Sequence, residues 1–324
     1  MPTQDNLIEI TVWYRGVVEG RLARQIAGGL ADAAEREGKY VQAFENYVDL
    51  PDRVYVPCRA YARISREPIA EPYLYENHNP YIVVCTDAAL VKGCNVLKGI
   101  EPGGTLIVNT SQEPETVLAL LRGLPRMDLL SKVVTLDAGL AHQPYTPQGG
   151  IEGATEKASA MRTASMLMGA IAKATGVVDL KALLSGRGSD QAAIEAGYHG
   201  VKELANPEYD ATAQAEPASE HGYRGAVDLI IPAPLPNTAN PGHITSNYRI
   251  FRPVVDQAAC TACRICWVSC PDACISVDAD KDEKVRIELA YCKGCGICWE
   301  VCPRHCIAAQ DEVNYTDGVV RITY

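Results

Sequence analysis

The sequence predicts an α/β domain with a mostly parallel sheet, an extended connection, and a small cysteine-rich α+β domain. Three observations predict it. Apolar strand-like runs alternate with helix-like segments over the first two-thirds of the 324 residues. Prolines then recur through one polar stretch. Finally, ten of the thirteen cysteines fall between Cys260 and Cys306. Length alone points to two domains.

In the first domain, residues 1–205, Leu7 to Trp13 places Ile8, Ile10 and Val12 on one face, as a strand does. Gly16–Gly20 follows a strand and precedes a helix, as phosphate loops do, but it is not a Gly-x-Gly-x-x-Gly motif. Glu19 would repel phosphate, so a plain strand–helix turn is expected. Leu22, Ile26, Leu30 and Ala33 then recur at helical spacing, and Gly38 ends the pattern. Tyr81 to Cys85 is a short apolar run of the buried-strand kind. Glu101 to Gly104 is a turn, Thr105 to Val108 the next strand, and Lys132 to Leu136 another. Lys157 to Ala174, rich in Ala, Met and Leu, favours a helix, and a further helix is expected over Asp190 to Leu204. Strands alternating with helices give a parallel sheet covered by helices.

Residues 206–247 carry prolines at 207, 217, 232, 234, 236 and 241 among Ala, Ser, Asn and Gly. This composition predicts an extended linker, with Leu229-Ile230-Ile231 docking on protein. Residues 248–324 contain a duplication. Cys260, Cys263, Cys266, Cys270 and Cys274 recur, each 32 residues later, at Cys292, Cys295, Cys298, Cys302 and Cys306. Pro271 and Pro303 correspond, as do Trp267 and Trp299, and Ile275 and Ile307. Two similar halves around a pseudo-twofold axis are implied.

Each repeat reads Cys-x-x-Cys-x-x-Cys-x-x-x-Cys-Pro. A 4Fe–4S cube has four iron corners, each needing a thiolate. Three closely spaced cysteines wrap three corners; the fourth serves the other cluster in two-cluster ferredoxins. One cluster is therefore expected on Cys260, Cys263, Cys266 and Cys302, the other on Cys292, Cys295, Cys298 and Cys270. Zinc also binds four cysteines, but its sites use paired cysteines, not two complete runs. Cys274 and Cys306 stand where such domains carry a small apolar residue. Buried packing is the plain reading, and tuning of cluster potential by their S–H groups the sharper one. Cys58, Cys85 and Cys94 lack partners at ligand spacing and read as core thiols. Lys293 and Arg264 sit inside the cysteine loops, where their charge bears on potential.

The net charge of −10 argues against general nucleic-acid binding. No basic start precedes an apolar stretch and no apolar run reaches 18 residues, so neither a secretory signal nor a membrane span is expected. A cytoplasmic location is the expectation. The six histidines are scattered and no Ser/His/Asp set stands out, so no catalytic residue is assigned.

These residues resemble the 2-oxoacid:ferredoxin oxidoreductases, in the form of gamma and delta subunits fused in one chain. The gamma-like matches are Gly38 to Phe44, Asn95 to Thr110 and Thr163 to Gly176. The delta-like matches are Arg249 to Asp256 and Tyr291 to Cys298. The resemblance implies a gamma-type three-layer domain, a two-cluster ferredoxin domain, and an electron-relay role. It implies alpha- and beta-type catalytic subunits as partners in a hetero-oligomer, as a dimer of heterotrimers. Thiamine diphosphate, Mg and a further 4Fe–4S cluster are expected on those partners, because this chain lacks the family's Gly-Asp-Gly run with paired Asn. External ferredoxin is the expected acceptor. Two departures matter: the family's Gly-Gly-Gln-Gly loop reads Gly16-Val17-Val18-Glu19-Gly20 here, and Gly139 to Ser159 looks enlarged. A branch that needs no coenzyme A fits them. The delta subunit of oxalate oxidoreductase is the member most resembled, which implies oxalate as substrate. The alternatives are a coenzyme-A-acylating enzyme for pyruvate or another 2-oxoacid, and a stand-alone two-cluster electron carrier.

Overall fold

Leu7–Arg15 forms strand β1, and the chain reverses into helix α1 (Gly16–Arg36) at a single residue, Gly16. Its φ of +57° is a conformation glycine adopts without steric cost, and its N–H donates to Val56 O at 3.0 Å. The structure, a computed structural model, describes residues 7–45, 56–70, 76–139, 154–186, 190–213 and 244–321. Contacts group them into two compact units, one up to residue 213 and one from residue 244, each considered by itself.

In the first unit, Leu22, Ile26, Leu30 and Ala33 form the buried face of α1, as their spacing predicts. Next come β2 (Tyr40–Glu45), β3 (Pro57–Ser65), β4 (Ile82–Cys85) and α2 (Ala88–Gly93). Asp87 caps α2, its carboxylate accepting from the N–H groups of Ala89 and Leu90 at 2.7 and 3.2 Å. The chain continues through β5 (Gly104–Asn109), α3 (Pro114–Leu121), β6 (Leu130–Leu136), α4 (Ala154–Thr175), α5 (Leu180–Leu184), α6 (Gln191–His199) and β7 (Lys202–Ala205).

The strands make one sheet in the order β2-β3-β1-β4-β5-β6-β7. The four central strands β1, β4, β5 and β6 run parallel, and antiparallel strands flank them on both sides. Ile10, Val12, Ile82, Val84, Ile107 and Val134 pack with α1 and α4. Their alternates Val83, Cys85, Leu106 and Val108 are buried too, so both faces of the sheet are covered. The expected three-layer α/β architecture is therefore present. Cys58, Cys85 and Cys94 are buried in this unit. Helices α4 and α6 meet at glycines: a Cβ on Gly197 would lie 1.9 Å from Met166 O, and one on Gly169 would lie 2.0 Å from Ile194 O.

Two expectations are corrected. The helix expected to run from Asp190 to Leu204 stops at His199, where Gly200 N–H bonds back to Ala196 O at 2.9 Å. Lys202–Ala205 then pairs with Lys132–Thr135, filling backbone donors and acceptors that would otherwise be left at the sheet edge. Gly16–Gly20 is not a separate turn but the first turn of α1. Of the expected linker, residues 206–213 and 244–247 are described. Asn206 is buried on the first unit, its side-chain amide donating to Met127 O and Leu130 O, both at 2.8 Å. Ser246 binds the second unit, donating its N–H to Ala290 O at 3.1 Å. Leu229-Ile230-Ile231 lies outside the described residues, as does the stretch 140–153 within the enlarged segment.

The second unit begins with a short 3-10 turn at Ser246–Tyr248. It holds β8 (Phe251–Val255), α7 (Ile265–Val268), β9 (Ile275–Val277), β10 (Val285–Ile287), α8 (Ile297–Glu300) and β11 (Ile307–Asp311). β9 pairs with β10 and β8 with β11, both antiparallel. The cysteine runs lie in the loops and short helices between these two ribbons.

Candidate metal centre

The duplication seen in the sequence extends to the backbone. Ala262, Arg264 and Ala273 have φ of 53°, 67° and 49°. Shifted by 32 residues, Gly294, Gly296 and His305 have φ of 72°, 89° and 48°. Four of these six are not glycine, so the left-handed turns are held against a steric cost of about 1–2 kcal/mol each. What the turns accomplish is visible at the sulfurs, because they curl backbone N–H groups inward. Ala262 N–H donates to Cys260 Sγ at 3.4 Å. The N–H of Gly294 reaches Cys292, those of Asp272 and Cys274 reach Cys270, and those of Arg304, His305 and Cys306 reach Cys302. Such a ring of amides favours negative sulfur.

Cys270 of the first run lines the same pocket as Cys292, Cys295 and Cys298 of the second. The pocket encloses about 340 Å³ of empty space, part of it open solvent. In the other half, the thiol of Cys266 feels the neighbouring sulfurs of Cys263, Cys260 and Cys302. Among the described residues, no three His, Cys, Asp or Glu side chains are grouped as ligands of a single metal ion. The donor chemistry fits 4Fe–4S clusters: thiolates from two complete runs, amides aimed at them, and an apolar surround that includes Ile275, Val285 and Ile307.

Acidities differ within each set. A hydrogen bond from Cys274 brings Cys270 down to about 6, against the opposing effect of burial. The same Cys274 thiol, helped by Arg249, brings Cys292 down to about 7. Burial opposes ionisation of Cys302, but amides and the Cys306 thiol hold it below the usual range. Burial pushes Cys298 up to about 12 and also raises Cys266 and Cys295. The charge of bound metal would favour loss of their protons.

Three cations that composition did not single out hold this unit together. Arg249 is buried and donates to Cys292 O at 2.7 Å, Leu289 O at 2.6 Å and Gly318 O at 2.8 Å. Its Nε donates to Glu312 at 2.5 Å, and Arg252 donates to the same carboxylate at 2.6 and 3.1 Å. In the other half, Lys284 Nζ donates to Cys260 O at 2.9 Å. Each run thus has a cation bound to the carbonyl of its first cysteine. The Arg-Ile-Phe-Arg stretch at 249–252 carried the signal for the arginines, but their partner Glu312 lies 60 or more residues away. Lys293, singled out for its position, pairs with Asp272 at 3.4 Å and ties one run to the other. Arg264 supplies a left-handed turn before α7. Cys274 and Cys306 are buried, each with its Sγ 3.5 Å from the Sγ four residues before it.

Similarity to known proteins divides along the same line as the two units. Residues 24–187 match the pyruvate ferredoxin/flavodoxin oxidoreductase family, and residues 252–303 match the 4Fe-4S dicluster domain. The chain is 34% identical over 178 residues to the pyruvate/ketoisovalerate oxidoreductases common subunit gamma of Thermococcus litoralis, covering 55% of this chain and 83% of that one. It is 30% identical over 182 residues to the NADH-dependent phenylglyoxylate dehydrogenase subunit gamma of Aromatoleum evansii, covering 53% and 84%. A solved structure, pyruvate oxidoreductase subunit PORC from Thermotoga maritima, is similar with TM-score 0.44 and 25% identity, covering 61% of this chain and 98% of that chain.

Proposed function

We propose, from the premise that this chain belongs to the pyruvate ferredoxin/flavodoxin oxidoreductase family and carries a 4Fe-4S dicluster domain, that it is the electron-relay subunit of a 2-oxoacid:ferredoxin oxidoreductase. The observation that carries the reading is the pocket shared by Cys270 with Cys292, Cys295 and Cys298. On this reading those four hold one cluster, and Cys260, Cys263, Cys266 and Cys302 hold the other. Each bound cluster accepts and passes on single electrons. The protein's share is to hold, space and tune them. Left-handed turns aim amides at the thiolates, Arg249 and Lys284 fix the loop carbonyls, and Ile275 and Ile307 keep the interior apolar.

The gamma-subunit relatives support partners of the alpha and beta type in a hetero-oligomer. Thiamine diphosphate, Mg and a further cluster would reside there, with external ferredoxin as acceptor. Eight cysteines kept as thiolates for iron–sulfur clusters suit a reducing, cytoplasmic setting; among the described residues no helix is long and apolar enough to cross a membrane. The substrate class is a 2-oxoacid, pyruvate among them. Oxalate is the narrower reading, and the start of α1 supports it. At the start of α1, where the resemblance places the family's Gly-Gly-Gln-Gly loop, Glu19 is buried, accepting from Arg15 N–H at 2.9 Å and from the Thr86 hydroxyl at 2.5 Å. A helix start closed on its own carboxylate suits a reaction without coenzyme A.

The test is ferredoxin reduction by the native complex, given oxalate, pyruvate and other 2-oxoacids with and without coenzyme A. Oxalate should be cleaved to carbon dioxide without coenzyme A. Turnover of pyruvate only, with coenzyme A required, would move the chain to the acylating branch. No turnover of any of these acids would overturn the reading.

A further inference from the structure

We propose that Cys274 and Cys306 are positioning residues that raise the reduction potentials of the two clusters, each donating its S–H to the ligand cysteine four residues before it. The inference rests on the two-cluster reading above. Cys274 Sγ lies 3.5 Å from Cys270 Sγ, and Cys306 Sγ lies 3.5 Å from Cys302 Sγ. Both thiols are buried, which limits competition from water for the S–H. The nearby sulfurs of Cys292 and Cys260 also help keep Cys274 and Cys306, respectively, in the protonated form that donates. Each thiol therefore lies against the crossing sulfur of one proposed cluster. For Cys274 that cluster is built on the second run, although Cys274 belongs to the first.

The backbone holds both thiols in the same way. Cys274 O accepts from Glu288 N–H and Cys306 O accepts from Asp256 N–H, each at 2.8 Å. A left-handed residue, Ala273 or His305, precedes each of them. This symmetric anchoring aims the S–H at the crossing sulfur in both halves. Packing alone would be served by any small apolar side chain. A donor does something more, because reducing a cluster adds negative charge that its thiolates share. A hydrogen bond to a thiolate is charge-assisted and gains strength as that charge grows. It stabilises the reduced form and moves the potential upward. A thiol is a weak donor, so the effect is moderate.

The test is a redox titration, monitored by electron paramagnetic resonance, of the native complex carrying Cys274→Ala, Cys274→Ser, Cys306→Ala or Cys306→Ser, with iron and acid-labile sulfide counted in every sample. In Cys274→Ala the reduced-to-oxidised ratio of the cluster on Cys292, Cys295 and Cys298 should fall about tenfold at fixed potential, a shift of about 59 mV for one electron. The other cluster should stay put, and Cys306→Ala should show the mirror image. The serine variants keep a donor and should recover most of the shift. A change below about threefold, equal shifts for alanine and serine, or a shift in the wrong cluster would overturn the proposal while leaving the cluster reading intact. Wild-type protein without iron and sulfide would remove both. If one alanine variant loses its cluster, the variant at the other cluster decides the question.

Discussion

Replacing Glu312 by glutamine should loosen the whole cluster-bearing unit. Glu312 is fully buried between Arg249 and Arg252 and accepts three charge-assisted bonds, at 2.5, 2.6 and 3.1 Å. The variant keeps the shape but removes the negative charge, leaving two guanidinium groups close together, one of them wholly buried. Breaking a buried ion pair from one side costs about 3–5 kcal/mol. Glutamine retains one accepting oxygen, so the low end, about 3 kcal/mol, applies. At about 1.4 kcal/mol per decade, that is roughly a hundredfold. The network joins segments far apart in sequence, so most of the loss should fall on the unfolding rate. The assay is the decay of cluster absorbance in guanidinium chloride with an iron chelator, at one denaturant concentration. A rate within about threefold of wild type would refute the reasoning, since it would mean that this network contributes no more than a surface pair.

Gly294→Ala should cost more than about 2 kcal/mol, because its Cβ would lie 2.7 Å from Phe251 O at a φ of +72°; faster cluster loss would register it. The matching change in the first run, Ala262→Gly, should slow that loss by relieving about 1 kcal/mol. Gly197→Ala should separate α4 from α6 and lower the melting temperature of the native complex, because a Cβ there would meet Met166 O at 1.9 Å. Burial pushes the Cys58 thiol up to about 11 from an ordinary 9.0. Between those values the unfolded chain gives up a proton that the folded chain keeps. Stability is therefore complete below pH 9 and falls as pH rises towards 11, by up to about 2 kcal/mol from this group. Denaturation midpoints measured across that range should decline less steeply in Cys58→Val.

The duplicated run is the part of the site that the sequence makes legible, because a spacing of three and three and four residues is itself a geometry. On the exchanged reading it assigns Cys270 to the second run, and Cys270 lines a pocket with Cys292, Cys295 and Cys298. The strands β1, β4, β5 and β6 are equally readable, β1 from the alternation of Ile8, Ile10 and Val12 and the others from short apolar runs such as Ile82–Cys85 and Leu106–Val108. β3 was not, because Arg59 and Arg63 make it look polar. Arg63 is in fact buried, its charge met by Glu9 at 3.1 Å and Gln42 at 2.8 Å, partners 54 and 21 residues away. β7 escaped for a different reason: Lys-Glu-Leu-Ala has good helix formers, and only an open sheet edge makes it a strand. The Arg-Ile-Phe-Arg stretch flags Arg249 and Arg252, but the groups they and Lys284 bind, Glu312 and the carbonyls of Cys292 and Cys260, are brought near only by folding. The turns at Ala262 and Arg264 were hidden because non-glycine residues stand where the second repeat has Gly294 and Gly296.

Cluster signals in four single variants test the exchanged ligands most directly. Cys302→Ala and Cys263→Ala should abolish one and the same paramagnetic signal, and Cys270→Ala and Cys295→Ala the other, in protein that otherwise carries about eight irons per chain. If Cys302→Ala instead removed the signal lost in Cys295→Ala, each run would be holding its own cluster, and the account given for this domain would be wrong.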